Sequence, residues 1–363
     1  NYLKSCDEEA IIFCNGDNDT FPLWYNLEVE QERDDVRACN LSYLQTDWYI
    51  SQMKRPYYNS LGLPISWEYK DFMPGKNEVV WVENRLNAPL EVKKAFQFLH
   101  SDDPRTKRDG EGYIPSDQLY VLSPDSQKIM FKKARRFTRS EMMVMEMLST
   151  NEWKRPMYFA VTIGNDYHLG LDPYLELTGL AYRITPERSA DGRPRVNTEM
   201  MYDNMLHKFK YGNMNVPGIY IDENTMRMCR THRMMFMELV EALYNEGKHD
   251  KCLEVLDFAE EMLPGYNIPY DYTSATMAVY YYELGEMEKG NQIMEKVADN
   301  SVEYLAWGAS LPKELRTSSQ STIGHQVQVL GYVLQNMERY NQSELFDKYY
   351  NIYVQYASMR QGN

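Results

Sequence analysis

Apolar residues in the first half of the chain come in short solid runs rather than at helical spacing. Ala10-Ile11-Ile12-Phe13-Cys14 and Met157-Tyr158-Phe159-Ala160-Val161-Thr162-Ile163 are nearly unbroken, as expected of strands covered on both faces in a parallel sheet. Val36 to Leu41 and Val79 to Val82 read as further strands. A helix is expected from about Pro22 to Arg33, with Thr20 as its N-cap and Pro22 in the first turn, where a missing N–H costs nothing. A second helix starts at Thr46-Asp47-Trp48-Tyr49. Strand, helix and strand within about 30 residues make a βαβ unit, which implies parallel pairing and a right-handed crossover. Further on, a helix is expected near Leu90 to Leu99 and a polar loop from Ser101 to Ser116. Thr138-Arg139-Ser140-Glu141 has capping-box spacing and opens a Met-rich helix to about Leu148. Tyr174 to Thr185 reads as an extended segment containing Gly179.

From Asn224 the apolar spacing turns helical. Leu239 to Leu263 breaks at Gly247, and Met277 to Val297 breaks at Gly285. In both, a helix closes on Tyr and Gly, and a Lys follows four residues later (Lys251, Lys289). A weaker third copy runs from Val329 through Asn336 to Tyr353. The spacing of the two glycines slightly exceeds the ~34 residues of a tetratricopeptide repeat. The chain is therefore expected to hold an α/β domain over residues 1–222, Rossmann-like with a mainly parallel sheet, then an all-α tetratricopeptide-like helical domain over residues 223–363.

Charge and composition narrow the function. A net charge of −14 argues against nucleic acid as a partner, because such binders carry a basic footprint. No apolar run approaches the ~20 residues that span a bilayer. The first residue is Asn1, so the chain is expected to be a processed product or part of something longer. Cys6, Cys14, Cys39, Cys229 and Cys252 show no metal-finger spacing; Cys14 and Cys39 are expected as free thiols on neighbouring buried strands. No histidine pair has zinc spacing, and no GxSxG, Walker A or GxGxxG occurs.

The chemistry concentrates after the first strand, in Asn15-Gly16-Asp17-Asn18-Asp19-Thr20. Ligands of open α/β sheets bind where strand C-termini meet helix N-termini. Asp17-Asn18-Asp19 has the form of the acidic triplet with which nucleotide-sugar glycosyltransferases hold a divalent metal, since carboxylates suit Mg²⁺ or Mn²⁺. The plain alternative is a helix cap and a turn. Asn40, Ser42, Thr46 and Asp47 follow the adjacent strand, so two polar strand ends lie side by side. Trp24, Tyr25, Trp48 and Tyr49 offer faces for a sugar, or else helix-to-sheet packing. The cluster Lys132, Lys133, Arg135, Arg136 and Arg139 reads as a solvated helix face, with anionic lipid as the rival.

Gly16-Asp17-Asn18-Asp19-Thr20-Phe21-Pro22-Leu23-Trp24-Tyr25, Asp35-Val36-Arg37, Asn40-Leu41-Ser42, Thr46-Asp47-Trp48-Tyr49-Ile50, Arg155-Pro156-Met157-Tyr158-Phe159-Ala160 and Gly179-Leu180-Ala181-Tyr182-Arg183 resemble a family of bacterial protein O-mannosyltransferase-like membrane proteins. The resemblance covers about residues 1–200 and the helical tail only loosely. It implies the soluble periplasmic region of a C-type glycosyltransferase at the inner membrane. The partners implied are an N-terminal membrane domain, exported acceptor proteins or peptides, and a polyprenyl-phosphate sugar donor used by the whole enzyme. In such enzymes the catalytic acid lies in the membrane part, so no catalytic residue carries over to this chain. Asn15, Asp17, Asn18, Asp19, Thr20, Trp24, Asn40, Asp47 and Trp48 are the candidate binding residues, with Asp17 and Asp19 as the candidate metal pair. A stand-alone metal-dependent nucleotide-sugar glycosyltransferase and a helical-repeat scaffold for a partner peptide are the alternatives.

Overall fold

The two solid apolar runs lie side by side. In a computed structural model that describes residues 1–361, strand β1 (Ile11–Cys14) pairs in parallel with β2 (Arg37–Asn40) and with β3 (Met157–Ala160), setting Phe13 opposite both Cys39 and Phe159. All four residues of each strand are buried, which explains why two of the three read as continuous apolar sequence. Helix α1 (Asp17–Glu28) connects β1 to β2, and α2 (Asp47–Met53) follows β2.

Beyond β3 the sheet changes direction. The segment around Gly179 is two strands, β4 (Leu175–Leu177) and β5 (Ala181–Ile184), folded as an antiparallel hairpin; β5 pairs antiparallel with β3. Strand β6 (Arg195–Val196) closes the order β6-β4-β5-β3-β1-β2. The sheet is thus mixed, its parallel part confined to β3-β1-β2 and the β4–β6 edge. Three of the five strand pairings are parallel, and the hairpin makes the sheet mixed: three residues, Thr178 to Leu180, suffice to reverse the chain, whereas a parallel connection needs about a dozen.

Helix α3 (Arg139–Asn151) is the Met-rich helix, and its capping box forms as expected: the Glu141 carboxylate accepts from Thr138 N–H at 2.8 Å, and Thr138 Oγ1 accepts from Glu141 N–H. The basic cluster before it is not a helix face. Lys132 to Arg135 lie in irregular chain, and Arg136 sits in a short strand, Arg136–Thr138, paired with Val79–Trp81. Arg139 is buried, donating to the carbonyls of Gln45 and Lys76. The expected polar loop after Ser101 contains a small hairpin, Lys107–Arg108 with Glu111–Gly112.

Contacts divide the chain into two units, one ending at Phe209 and the other starting at Lys210. In the second, α4 (Glu223–Asn245) and α5 (His249–Met262), α6 (Tyr272–Glu283) and α7 (Met287–Ser310), and α8 (Gln320–Arg339) and α9 (Ser343–Gln361) form three helical hairpins. All three turns have one geometry. Gly247, Gly285 and Asn341 take positive φ (72°, 85° and 58°), and the next N–H reaches back five residues: Lys248 to Leu243, Glu286 to Tyr281, Gln342 to Met337. This is the Schellman arrangement, which favours Gly and then Asn because they reach the left-handed region cheaply. Arg233 on α4 is buried and donates to the carbonyls of Leu263, Ile268 and Pro269 at 2.9–3.0 Å, holding the linker between α5 and α6. Among the described residues, no helix is long and apolar enough to cross a membrane. All five cysteines are buried and free.

Candidate functional site

Helix α1 begins earlier than its sequence suggests. Gly16, at φ 84°, turns the chain straight out of β1, and the helix starts at Asp17. Thr20 is not the cap; it lies within the first turn, its hydroxyl donating back to the Gly16 carbonyl at 2.8 Å. Pro22 lies inside the helix rather than in its opening turn. Asp17 and Asp19 therefore stand on the first helical turn, where carboxylates are favoured by the exposed N–H groups.

Positions two apart on a helix face different ways, and the two acids separate accordingly. Asp17 and Asn18 are exposed. Asp17 accepts only a long bond, 3.3 Å, from the Tyr43 hydroxyl. Asp19 is buried against the end of β3, accepting from Thr162 Oγ1 at 2.5 Å and from the Tyr2 hydroxyl at 3.4 Å. Burial raises the carboxyl above its ordinary range, and the bonds from Thr162 and Tyr2 oppose that rise. The same charge, after burial itself, pushes the Tyr2 phenol up.

Thr20 and Asn40 are buried together: Asn40 Nδ2 donates to Thr20 Oγ1 at 2.7 Å, and Asn40 Oδ1 accepts from Tyr43 N–H at 3.0 Å. The Tyr49 hydroxyl accepts from Asn40 N–H at 2.9 Å. Asn15, half-buried, accepts from Ser42 Oγ at 2.6 Å. These bonds lock the β1 and β2 ends to each other and leave Thr20 and Asn40 no free polar face.

What stays accessible is a shelf of Asp17, Asn18 and the aromatic side chains beside them. Trp24 stacks on Tyr43 with ring centres 6.1 Å apart, and Trp48 meets Tyr43 at the same distance. Trp48 is 54% exposed, as is Tyr25, whereas Tyr49 is buried; packing accounts for Tyr49 but not for the other two. Asp47, at the start of α2, accepts from the Tyr69 hydroxyl at 3.0 Å. Sequence reasoning passed over Tyr43, which joins the two strand ends, although it sits inside the motif between Ser42 and Thr46. Thr162 and Tyr2 carried no local signal.

As a metal pair, Asp17 and Asp19 lack a common coordination face, and Asp19 already serves two hydroxyls. Among the described residues no group of three His, Cys, Asp or Glu side chains gathers as a metal site would require. The arrangement suits contact with a polar, hydroxyl-rich surface: an exposed acid and amide beside aromatic rings.

Searches of curated proteins and of solved structures found no match. The family model described as TMEM260-associated domain 2 matches residues 1–134 and 121–204, a stretch that holds every residue of the shelf and more than half of the chain. On that match the chain belongs to the TMEM260-associated domain 2 family, a domain of the O-mannosyltransferase-like TMEM260 group.

Proposed function

We propose that this chain is the extramembrane part of a membrane-bound C-type glycosyltransferase of the protein O-mannosyltransferase-like group, and that it works by holding the acceptor protein and supporting the membrane-embedded catalytic part. The match of residues 1–204 to a TMEM260-associated domain carries this reading. In it, the sugar comes from a polyprenyl-phosphate donor, the acceptor is an exported protein, and the region faces the periplasm. The exposed Asp17, Asn18 and Trp48 supply the acceptor contact. The helical unit, with three hairpins turned by one geometry, serves as a tetratricopeptide-like support. A nucleotide-sugar enzyme built on Asp17 and Asp19 draws no support from the geometry, because the two carboxylates diverge.

The test uses cells carrying the complete enzyme with Asp17→Asn and Asn18→Ala together. Glycosylation of exported proteins is expected to fall while the enzyme's own level stays normal. Normal glycosylation at normal protein level would make the shelf architecture only.

A further inference from the structure

Sharing Trp24 and Trp48 with the shelf, a cleft of about 240 Å³ lies between α1 and α2, over β2. Arg37 of β2 lines it. This residue is 6% exposed, its Nη2 donates to the Arg55 carbonyl at 3.1 Å, and its Nη1 is buried with no hydrogen-bond partner. No carboxylate lies within ion-pair distance of it among the described residues, and its companion is the Tyr57 ring, 5.6 Å from the guanidinium carbon. A buried cation left one bond short is costly. Such a group calls for a further acceptor, from a bound molecule or a water.

The walls are aromatic: Trp24 and Trp48 from the helices, and Tyr57 and Tyr58 from the turn after α2. That turn is closed by reciprocal backbone bonds between Tyr57 and Ser60, and Tyr58 holds φ +50°, which a tyrosine rarely adopts. The rim is acidic. Glu28 Oε2 accepts from both tyrosine hydroxyls, at 2.7 and 3.0 Å, and Asp34 accepts from Asn59 Nδ2 at 2.8 Å.

We propose that this cleft binds one neutral sugar ring. Apolar faces in the walls take the C–H faces of the ring, the rim carboxylates accept from its hydroxyls, and Arg37 donates to a ring or hydroxyl oxygen. The acidic rim repels anions, which rules against a phosphate or a carboxylate as the ligand in spite of the arginine. The volume lies below the ~300–1,000 Å³ of sites for drug-sized molecules, so one ring fits and a nucleotide sugar does not. The glycosyltransferase reading above says only which sugars the cleft meets in the cell; the chemistry of the cleft stands apart from it.

Saturation-transfer NMR on the intact chain tests this with the methyl glycosides of glucose, galactose and mannose, and with methyl glucuronide as the anionic comparator. At least one neutral glycoside is expected to receive saturation from aromatic protons, and methyl glucuronide much less. Glu28→Gln is expected to weaken that binding by about tenfold or more, the scale of one strong hydrogen bond. Arg37→Met is expected to abolish it; if that variant unfolds, Glu28→Gln, which lies at the surface, still decides. Absence of transfer from every neutral glycoside, preference for the glucuronide, or unchanged binding in Glu28→Gln overturns the proposal. The cellular assay of acceptor glycosylation can succeed when this one fails, so the two readings fall separately.

Discussion

Asp19 offers the sharpest check on how the strand-end cluster is built. Asp19→Ala removes one short bond, from Thr162, and one long one, from Tyr2. The two hydroxyls freed by the change are already 3.0 Å apart and satisfy each other. The loss is therefore close to one good hydrogen bond, about 1–2 kcal/mol, reduced by relief of carboxylate burial. The net expected cost is about 1 kcal/mol. The pH dependence decides which of the two opposing effects is larger. Burial raises the folded-state carboxyl, so folding favours the protonated form. That stabilisation is complete below the unfolded value of about 3.9 and is lost as pH rises through the folded value. Asn cannot ionise, so Asp19→Asn is expected to gain on the wild type as pH rises from about 4 and then to level off. Urea unfolding followed by tryptophan emission measures this, because Trp24, Trp48, Trp67, Trp81 and Trp153 belong to the first unit and Trp307 alone to the second. If the wild type instead gains on Asp19→Asn with rising pH, Thr162 and Tyr2 outweigh burial and the reasoning fails.

Arg233→Met is expected to cost about 3 kcal/mol, because three buried carbonyls lose their donor at once; a loss below about 1 kcal/mol in a far-ultraviolet melt would mean that water replaces the guanidinium. Native protein is expected to react slowly with a thiol reagent, since burial pushes Cys14 up to about 12 and Cys252 up to about 11. After denaturation without reductant, five groups are expected; three would reveal a disulfide. A fragment starting at Lys210 is expected to melt cooperatively, and one starting at Asn224 at lower temperature, because the second omits Tyr211, which packs on Phe236 and Phe258 with ring centres within 6 Å. Equal melting of the two would remove Tyr211 from the helical core.

Burial on both faces leaves an unmistakable trace in sequence, and β1 and β3 were legible for that reason. The helical turns at Gly247 and Gly285 were legible too, because Gly reaches the left-handed region cheaply; the third was not, since the expected third copy ran through Asn336, which lies buried within α8, while the turn itself is at Asn341. The start of α1 was not. Thr20-Phe21-Pro22 imitates a cap followed by a first-turn proline, and only the φ of Gly16 shows that the helix has already begun. The hairpin at Gly179 stayed hidden because three residues of turn look like a continuous extended segment. Buried polar residues were the least legible: Asp19 finds its partner at Thr162, and Arg139 finds Gln45 and Lys76, pairings that no local pattern encodes. The candidate residues gather at the strand ends, and their division into a locked half and an open half required coordinates.

The pairing of β1 with β3 also sets a timetable. β1 and β2 are complete by Asn40, yet the strand that covers the other side of β1 begins at Met157. At the usual pace of synthesis, roughly 5–20 residues per second, that partner arrives on the order of ten seconds later. Through that interval the newborn chain carries an open, fully apolar strand edge at Ile11 to Cys14, a template for pairing with the wrong neighbour. Its production is thus expected to depend on a chaperone that shields this edge until Ala160 has emerged, and the yield of soluble protein should respond to slowed translation between residues 41 and 156 more than anywhere after the sheet has closed.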